Sequence, residues 1–225
     1  MCGRISVALS TEDMIQVLRE RYDIDEENID FELPRYNVAP STKVLSVISD
    51  GKKYRVGSLR WGFIPFWAKD EKFYSINAKA ETISSKPMFK DSFKHKRCVI
   101  LADGFYEWKK ENKNKIPYHF KVTDQSILPL AGLWSAYTKE DGSNIYTCTV
   151  ITTEPNEIMK PIHDRMPVIL TLETEKTWLN PLISDVDILE SLLVPYQSIN
   201  MDCFKVNPIV NNPRNETSDC LKSIV

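Results

Sequence analysis

The sequence predicts an α+β fold in a single domain, and three observations carry that expectation. Short apolar or alternating stretches fill the middle of the chain from Lys43 to Thr153 and are joined by local turns, as in an antiparallel sheet. Helical spacing appears at the beginning, around Ile83 to Phe93 and in the last third. No internal repeat or linker divides the chain, and 225 residues with 42% hydrophobic content can bury a substantial core. The domain is expected over 1–206. Residues 207–225 are polar and proline-containing and read as a loosely attached C-terminal tail.

Each element has its own signal. After a strand at Arg4 to Ala8, Ser10 or Thr11 can cap a helix whose apolar residues Met14, Val17, Leu18 and Tyr22 fall on one face. Pro34 and Pro40 keep the next segment extended into a strand at Lys43 to Ile48, and Asp50-Gly51 turns the chain into a strand at Tyr54 to Trp61. A helical stretch is expected around Ile83 to Phe93, with Asn77 read as a helix cap upstream of it. Val99 to Ala102 reads as a buried strand, and Phe105-Tyr106-Glu107-Trp108 alternates after Gly104. A hairpin through Glu111 to Asn114 leads to strands at Ile116 to Val122, Leu128 to Tyr137 and Ile145 to Thr153. Pro155 starts a brief helix. Helices around Glu173 to Leu179 and Asp185 to Leu193, then a strand at Asp202 to Val206, complete the pattern.

Composition excludes several classes of protein. The longest uncharged run, Gln125 to Thr138, has 14 residues and contains Pro129, too short and too broken to span a membrane. The N-terminus lacks a basic, apolar leader, so no secretion signal is expected. Five cysteines, widely spaced and never in a CxxC pair, argue against a disulfide framework or structural zinc and suit a reducing cytoplasm; no metal or cofactor is expected. The net charge of −2 conceals an uneven distribution. Asp23 to Glu32 holds six acidic residues and no basic one, whereas Lys86, Lys90, Lys94, Lys96 and Arg97 face Asp91 alone, and four lysines crowd Lys109 to Lys115. One cationic face would suit a phosphate backbone; solvated turns and helix faces are the plainer alternative.

Four places can carry chemistry. Cys2 becomes the N-terminus by loss of one methionine, and then bears an amine and a thiol on adjacent carbons. Such a 1,2-aminothiol condenses with an aldehyde to a Schiff base and closes to a thiazolidine; otherwise Cys2 is a small apolar residue opening the first strand. Glu107 lies between aromatic residues. Facing inward it is a desolvated carboxyl suited to proton transfer near neutral pH, and facing outward an ordinary strand glutamate. His163 sits in Pro161-Ile162-His163-Asp164-Arg165-Met166-Pro167, a loop held between prolines, whereas His95 lies in a basic run and His119 in a strand. In Arg60-Trp61-Gly62-Phe63-Ile64-Pro65-Phe66-Trp67, Trp61 reads as core and Trp67 as an exposed platform for stacking a base.

Taken together, Met1-Cys2-Gly3-Arg4, Pro34-Arg35-Tyr36-Asn37-Val38-Ala39-Pro40, Arg60-Trp61-Gly62, Asn77-Ala78-Lys79-Ala80-Glu81-Thr82, Ala102-Asp103-Gly104-Phe105-Tyr106-Glu107-Trp108 and His163-Asp164-Arg165-Met166-Pro167 resemble the SOS response-associated peptidase (SRAP) family, in family order, over residues 1 to about 205. The resemblance implies a mainly antiparallel, barrel-like β-sheet with peripheral helices. It also implies an abasic-site processing protein of the DNA-damage response. Such a protein binds single-stranded DNA, traps the ring-opened abasic sugar on Cys2 as a thiazolidine, removes its own Met1 as an autopeptidase and has AP-lyase activity. On this reading it is a cytoplasmic monomer. Asn77 would orient the cysteine and sugar, Glu107 would move protons, and His163 would donate to the sugar. Arg4, Lys79, Lys90 and Arg165 would hold phosphates beside Trp67. Many members have arginine where this chain has Lys79, which keeps the charge but loses the bidentate fork. Two rival functions are a thiol peptidase acting on other proteins, with Cys2 as nucleophile and His163 as base, and a non-catalytic single-strand binder.

Overall fold

A computed structural model describes residues 2–25 and 29–224. The acidic residues Glu26 and Glu27, and Met1, lie outside the described residues. Five strands close into a barrel. These are β3 (Lys43–Ser49), β4 (Tyr54–Trp61), β6 (Arg97–Ala102), β9 (Leu128–Thr138) and β10 (Asn144–Thr153). β3 pairs antiparallel with β4 and β6, β6 with β9, and β9 with β10. A short parallel contact, Thr147 opposite Arg60 and Cys148 opposite Trp61, closes the ring between β10 and β4. The short strands β5 (Asn77–Lys79) and β11 (Met166–Pro167) both hang on β10.

A second sheet, fully antiparallel, packs beside the barrel in the order β12 (Met201–Lys205), β8 (Asn114–Val122), β7 (Gly104–Glu111), β1 (Ile5–Val7), β2 (Arg35–Val38). The expected α+β, barrel-like architecture is what the chain adopts, with helices α1 (Thr11–Tyr22), α2 (Lys90–His95), α3 (Leu172–Leu179) and α4 (Val186–Ser191). Ser10 is the cap of α1, its hydroxyl accepting the Asp13 N–H, and Met14, Leu18 and Tyr22 are the buried stripe.

β6 is buried along its whole length because helices cover it. Trp178 of α3 donates Nε1–H to the Cys98 carbonyl at 3.0 Å and meets Phe93 of α2. At the head of β6, Arg97 is buried and donates to the carbonyls of Trp178, Phe93, Lys94, Asn180 and Ile183 at 2.5–2.9 Å. One guanidinium thus satisfies carbonyls at or just beyond the ends of two helices, which are otherwise left unpaired. Burial pushes it down to about 10, where it still carries its charge at neutral pH.

Three expectations are corrected. The helical stretch around Ile83 to Phe93 is a 3₁₀ turn at Ala80–Thr82 and a short α2 from Lys90, because Pro87 removes a donor and disfavours helical backbone before it. Pro155 starts no regular helix; residues 157–162 are turns, with His163 N–H donating to the Met159 carbonyl at 3.0 Å. The segment expected as a loose tail is packed. Val210 and Cys220 are fully buried with Tyr106 and Val206 in a small second core. The Asn37 amide donates to the carbonyls of Val210, Asn212 and Asn215 at 2.8–3.2 Å, and Glu216 pairs with Arg35 at 2.7 Å.

Candidate active site

β1 threads between β2 and β7 and carries the N-terminal residues to the edge of the barrel. Cys2, just before β1, is fully buried. Asn77 is not a helix cap: it lies in β5, held opposite Val150, and donates Nδ2–H to the Cys2 carbonyl at 2.9 Å. Its Oδ1 is buried with no hydrogen-bond partner among the described residues. An unmet buried acceptor costs roughly 1–3 kcal/mol, so its retention beside Cys2 marks a place for a donor to arrive.

Glu107 faces inward. It is 3% exposed on β7, opposite Tyr118 of β8, and burial pushes its carboxyl up to about 7. Burial, reinforced by the Glu107 charge, also raises the Cys2 thiol, which stays protonated at neutral pH. His163 Nε2 lies 3.9 Å from Glu107 Oε2, and Nδ1 accepts the Arg165 N–H at 3.0 Å. That acceptance favours the neutral ring with its proton on Nε2, toward Glu107, against the pull of the Asp164 carboxylate on Nδ1. Burial lowers the His163 pKa, which favours this neutral form. Asp164 Oδ1, 2.9 Å from Nδ1, faces solvent and would take the second proton. Glu107, His163, Arg4 and Trp108 line a groove of about 580 Å³, so the pair is reached from outside.

The sequence-predicted DNA residues behave differently from one another. Lys79 and Lys90 are exposed and make no ion pair among the described residues. Arg4 and Arg165, read from the resemblance as phosphate ligands, are held by partners within the chain. Arg4 Nη1 donates to Asn37 Oδ1 (2.5 Å) and the Val210 carbonyl (2.8 Å), with its guanidinium over the Trp108 ring. Arg165 forks onto Glu81 at 2.6 and 2.9 Å and reaches the Thr152 carbonyl. Trp61 is core, its Nε1–H donating to the Ile76 carbonyl. Trp67 is 46% exposed and leans on Phe73, with Phe66 and Tyr74 also exposed. Sequence reasoning missed Phe73 and Tyr74 as members of this surface. The signal was Gly62, whose φ of 147° strains any side chain and where a Cβ would stand 3.1 Å from Tyr74 Cδ2. Among the described residues no cluster of His, Cys, Asp or Glu is placed to hold a metal, and no helix is long and apolar enough to cross a membrane.

Cys2, the buried carboxyl of Glu107 and His163 thus lie together where the second sheet meets the barrel. The chain belongs to the SOS response associated peptidase (SRAP) family, which it matches over residues 1–213. It is 48% identical over 99% of its length to the abasic site processing protein YoqW of Bacillus subtilis, covering all of that protein. It is 30% identical to the abasic site processing protein HMCES of Xenopus tropicalis, with all of this chain and 79% of that protein matched. A crystal structure of a Bacteroides thetaiotaomicron protein superposes with a TM-score of 0.85 at 28% identity, each chain fully covered.

Proposed function

We propose that this protein captures abasic sites in single-stranded DNA as a covalent thiazolidine on Cys2. The observation that carries the reading is the convergence on Cys2 of Asn77, with one amide atom spent and the other waiting, and Glu107, held near 7 beside a neutral His163. After loss of Met1 by self-cleavage, the Cys2 amine attacks the C1′ aldehyde of the opened sugar. The carbinolamine loses water to an imine, and Sγ adds to the imine carbon while the thiol proton passes to nitrogen. Glu107 relays these protons and His163 donates Nε2–H to the sugar. Asn77 Oδ1 accepts from the amine or a sugar hydroxyl. The intermediate imine also permits strand cleavage as a lyase.

The exposed Trp67, Phe66, Phe73 and Tyr74 offer faces to unstacked bases, and Lys79 and Lys90 offer charges to phosphates. Arg4 and Arg165 add positive field from fixed positions. The names of the relatives support abasic DNA as the substrate. The protein acts on this reading as a cytoplasmic monomer. Intact mass spectrometry with and without single-stranded DNA bearing one abasic site tests it: the expected species lacks Met1 and gains the DNA with loss of one water. An active, crosslinked protein that retains Met1 would overturn the aminothiol chemistry.

A further inference from the structure

The groove over Glu107 and His163 does not end there. A second groove of about 670 Å³ adjoins it, and the two share Lys115 and Asn211 in their walls. Both run over the β7–β8 hairpin toward β12 and the C-terminal segment. Lys110 and Lys115 are direct cross-strand partners, so their Cβ atoms stand roughly 5 Å apart, and like charges so placed destabilise a sheet. Lys110 and Lys115 line the first groove; Lys113, at the hairpin turn, and Lys205 of β12 line the second.

Neutralisation is the informative contrast. Lys109 pairs with Glu111 at 2.8 Å and Lys121 with Asp202 at 3.6 Å, whereas none of Lys110, Lys113, Lys115 and Lys205 has an ion pair among the described residues. No carboxylate lines the second groove. The wall between the grooves is built: Asn211 Oδ1 accepts the Trp108 Nε1–H at 2.6 Å, and Arg4 lies over the same indole. A chain with a net charge of −2 thus leaves four lysines without an ion pair among the described residues along one track that starts at the catalytic pair, with Glu111 of the β7–β8 hairpin the opposing charge that acts on Lys205.

We infer that this track carries the phosphodiester backbone on one side of the abasic nucleotide, with Lys110 and Lys115 on the nearer phosphate and Lys113 and Lys205 on the next. The inference rests on the function proposed above. Lysines act as point charges, so they fix the strand without reading its sequence.

The test uses three abasic oligonucleotides, flanked by several nucleotides on the 5′ side only, the 3′ side only, or both. Noncovalent affinity against salt and the rate of adduct formation are measured for wild type, Lys110→Gln/Lys115→Gln, Lys113→Gln/Lys205→Gln and the paired-lysine control Lys121→Gln. Each phosphate that a variant no longer neutralises should reduce the slope of log K on log salt by about 0.7, about fivefold in affinity at 0.1 M salt referred to 1 M. The defect should appear with the doubly flanked substrate and with one single-flank substrate, and vanish with the other; Lys121→Gln should match wild type. Equal defects with both single-flank substrates, no defect in either double variant, or a Lys121→Gln defect of equal size would overturn the track. If wild type binds with these lysine-dependent slopes yet forms no adduct, the track stands as a strand-binding groove and the covalent function fails.

Discussion

Two histidines in this molecule lie close to a carboxyl group or to a serine bonded to one, and only one of them opens on a groove. His119 Nε2 is 2.9 Å from Ser6 Oγ, and Ser6 Oγ donates to Asp103 Oδ1 at 2.5 Å, a set of residues that on paper resembles a nucleophilic triad. The order of the bonds denies it that role. The serine proton goes to the aspartate, so the imidazole must donate from Nε2, and its Nδ1 is buried without a partner among the described residues. The ring is wedged between Tyr106 and Phe204, and burial drives its pKa down to about 3. His163 is 25% exposed, opens on a groove and faces a carboxyl held near 7. Access and a proton in position to be donated separate a working histidine from a structural one; residue types alone do not.

The largest effect that would sharpen the contrast is at Cys2. Cys2→Ala keeps the amine and loses sulfur, so stable adduct on abasic single-stranded DNA should disappear while borohydride still traps an imine. Heat-stable adduct at the wild-type rate would place the site elsewhere.

Glu107→Gln and His163→Ala should each slow adduct formation about 10²- to 10⁴-fold with binding to intact DNA retained. Acting as a base, Glu107 must be ionised, so the wild-type rate should rise through pH 7 and that inflection should vanish in Glu107→Gln. Stability moves oppositely. With the folded carboxyl near 7 against 4.5 unfolded, the folded state binds more protons between those values, and wild-type stability falls as pH rises across them. Above pH 7 Glu107→Gln should therefore gain about 1–3 kcal/mol relative to its standing below pH 4.5, read by denaturant titration. A pH-independent difference would return Glu107 to the ordinary strand residues.

Gly104→Ala probes the other cluster. A Cβ there would lie 2.1 Å from His119 Nε2 and 2.9 Å from the Phe120 carbonyl, so a loss of about 3 kcal/mol is expected, with β1 and its cysteine displaced. The smallest effect completes the comparison. His119→Phe should cost about 1–2 kcal/mol of stability and leave the adduct rate per folded molecule near wild type, the reverse of His163→Ala. A rate loss in His119→Phe equal to that of His163→Ala would erase the difference between the two histidines.

Much of the scaffold is legible in the residues because its signals are local. The β3–β4 turn shows as Asp50-Gly51, with Gly51 at φ 87°, and the fully apolar run of β6 announces a strand covered on both sides. What is not legible depends on partners far along the chain. Asn77 reads as a cap because the carbonyl it serves is 75 residues away, and Glu107 is ambiguous because the strand around it is buried on both faces. Arg165 looks like a free cation until Glu81, 84 residues earlier, is found in its fork. The C-terminal segment reads as loose because two buried residues, Val210 and Cys220, are diluted among polar ones whose backbone carbonyls accept from the Asn37 amide.

The grip of Val210 on Arg4, spanning 206 residues, also sets a clock. At roughly 5–20 residues per second a ribosome needs on the order of 10–40 s after making Arg4 to deliver its partner. Through that interval the groove over Glu107 and His163 lacks the part of its wall that Asn211 supplies. On the aminothiol chemistry proposed above, the site is therefore completed only when the chain is nearly finished, and stalled nascent chains ending before Val210 should label with a small aldehyde far more slowly than the released protein.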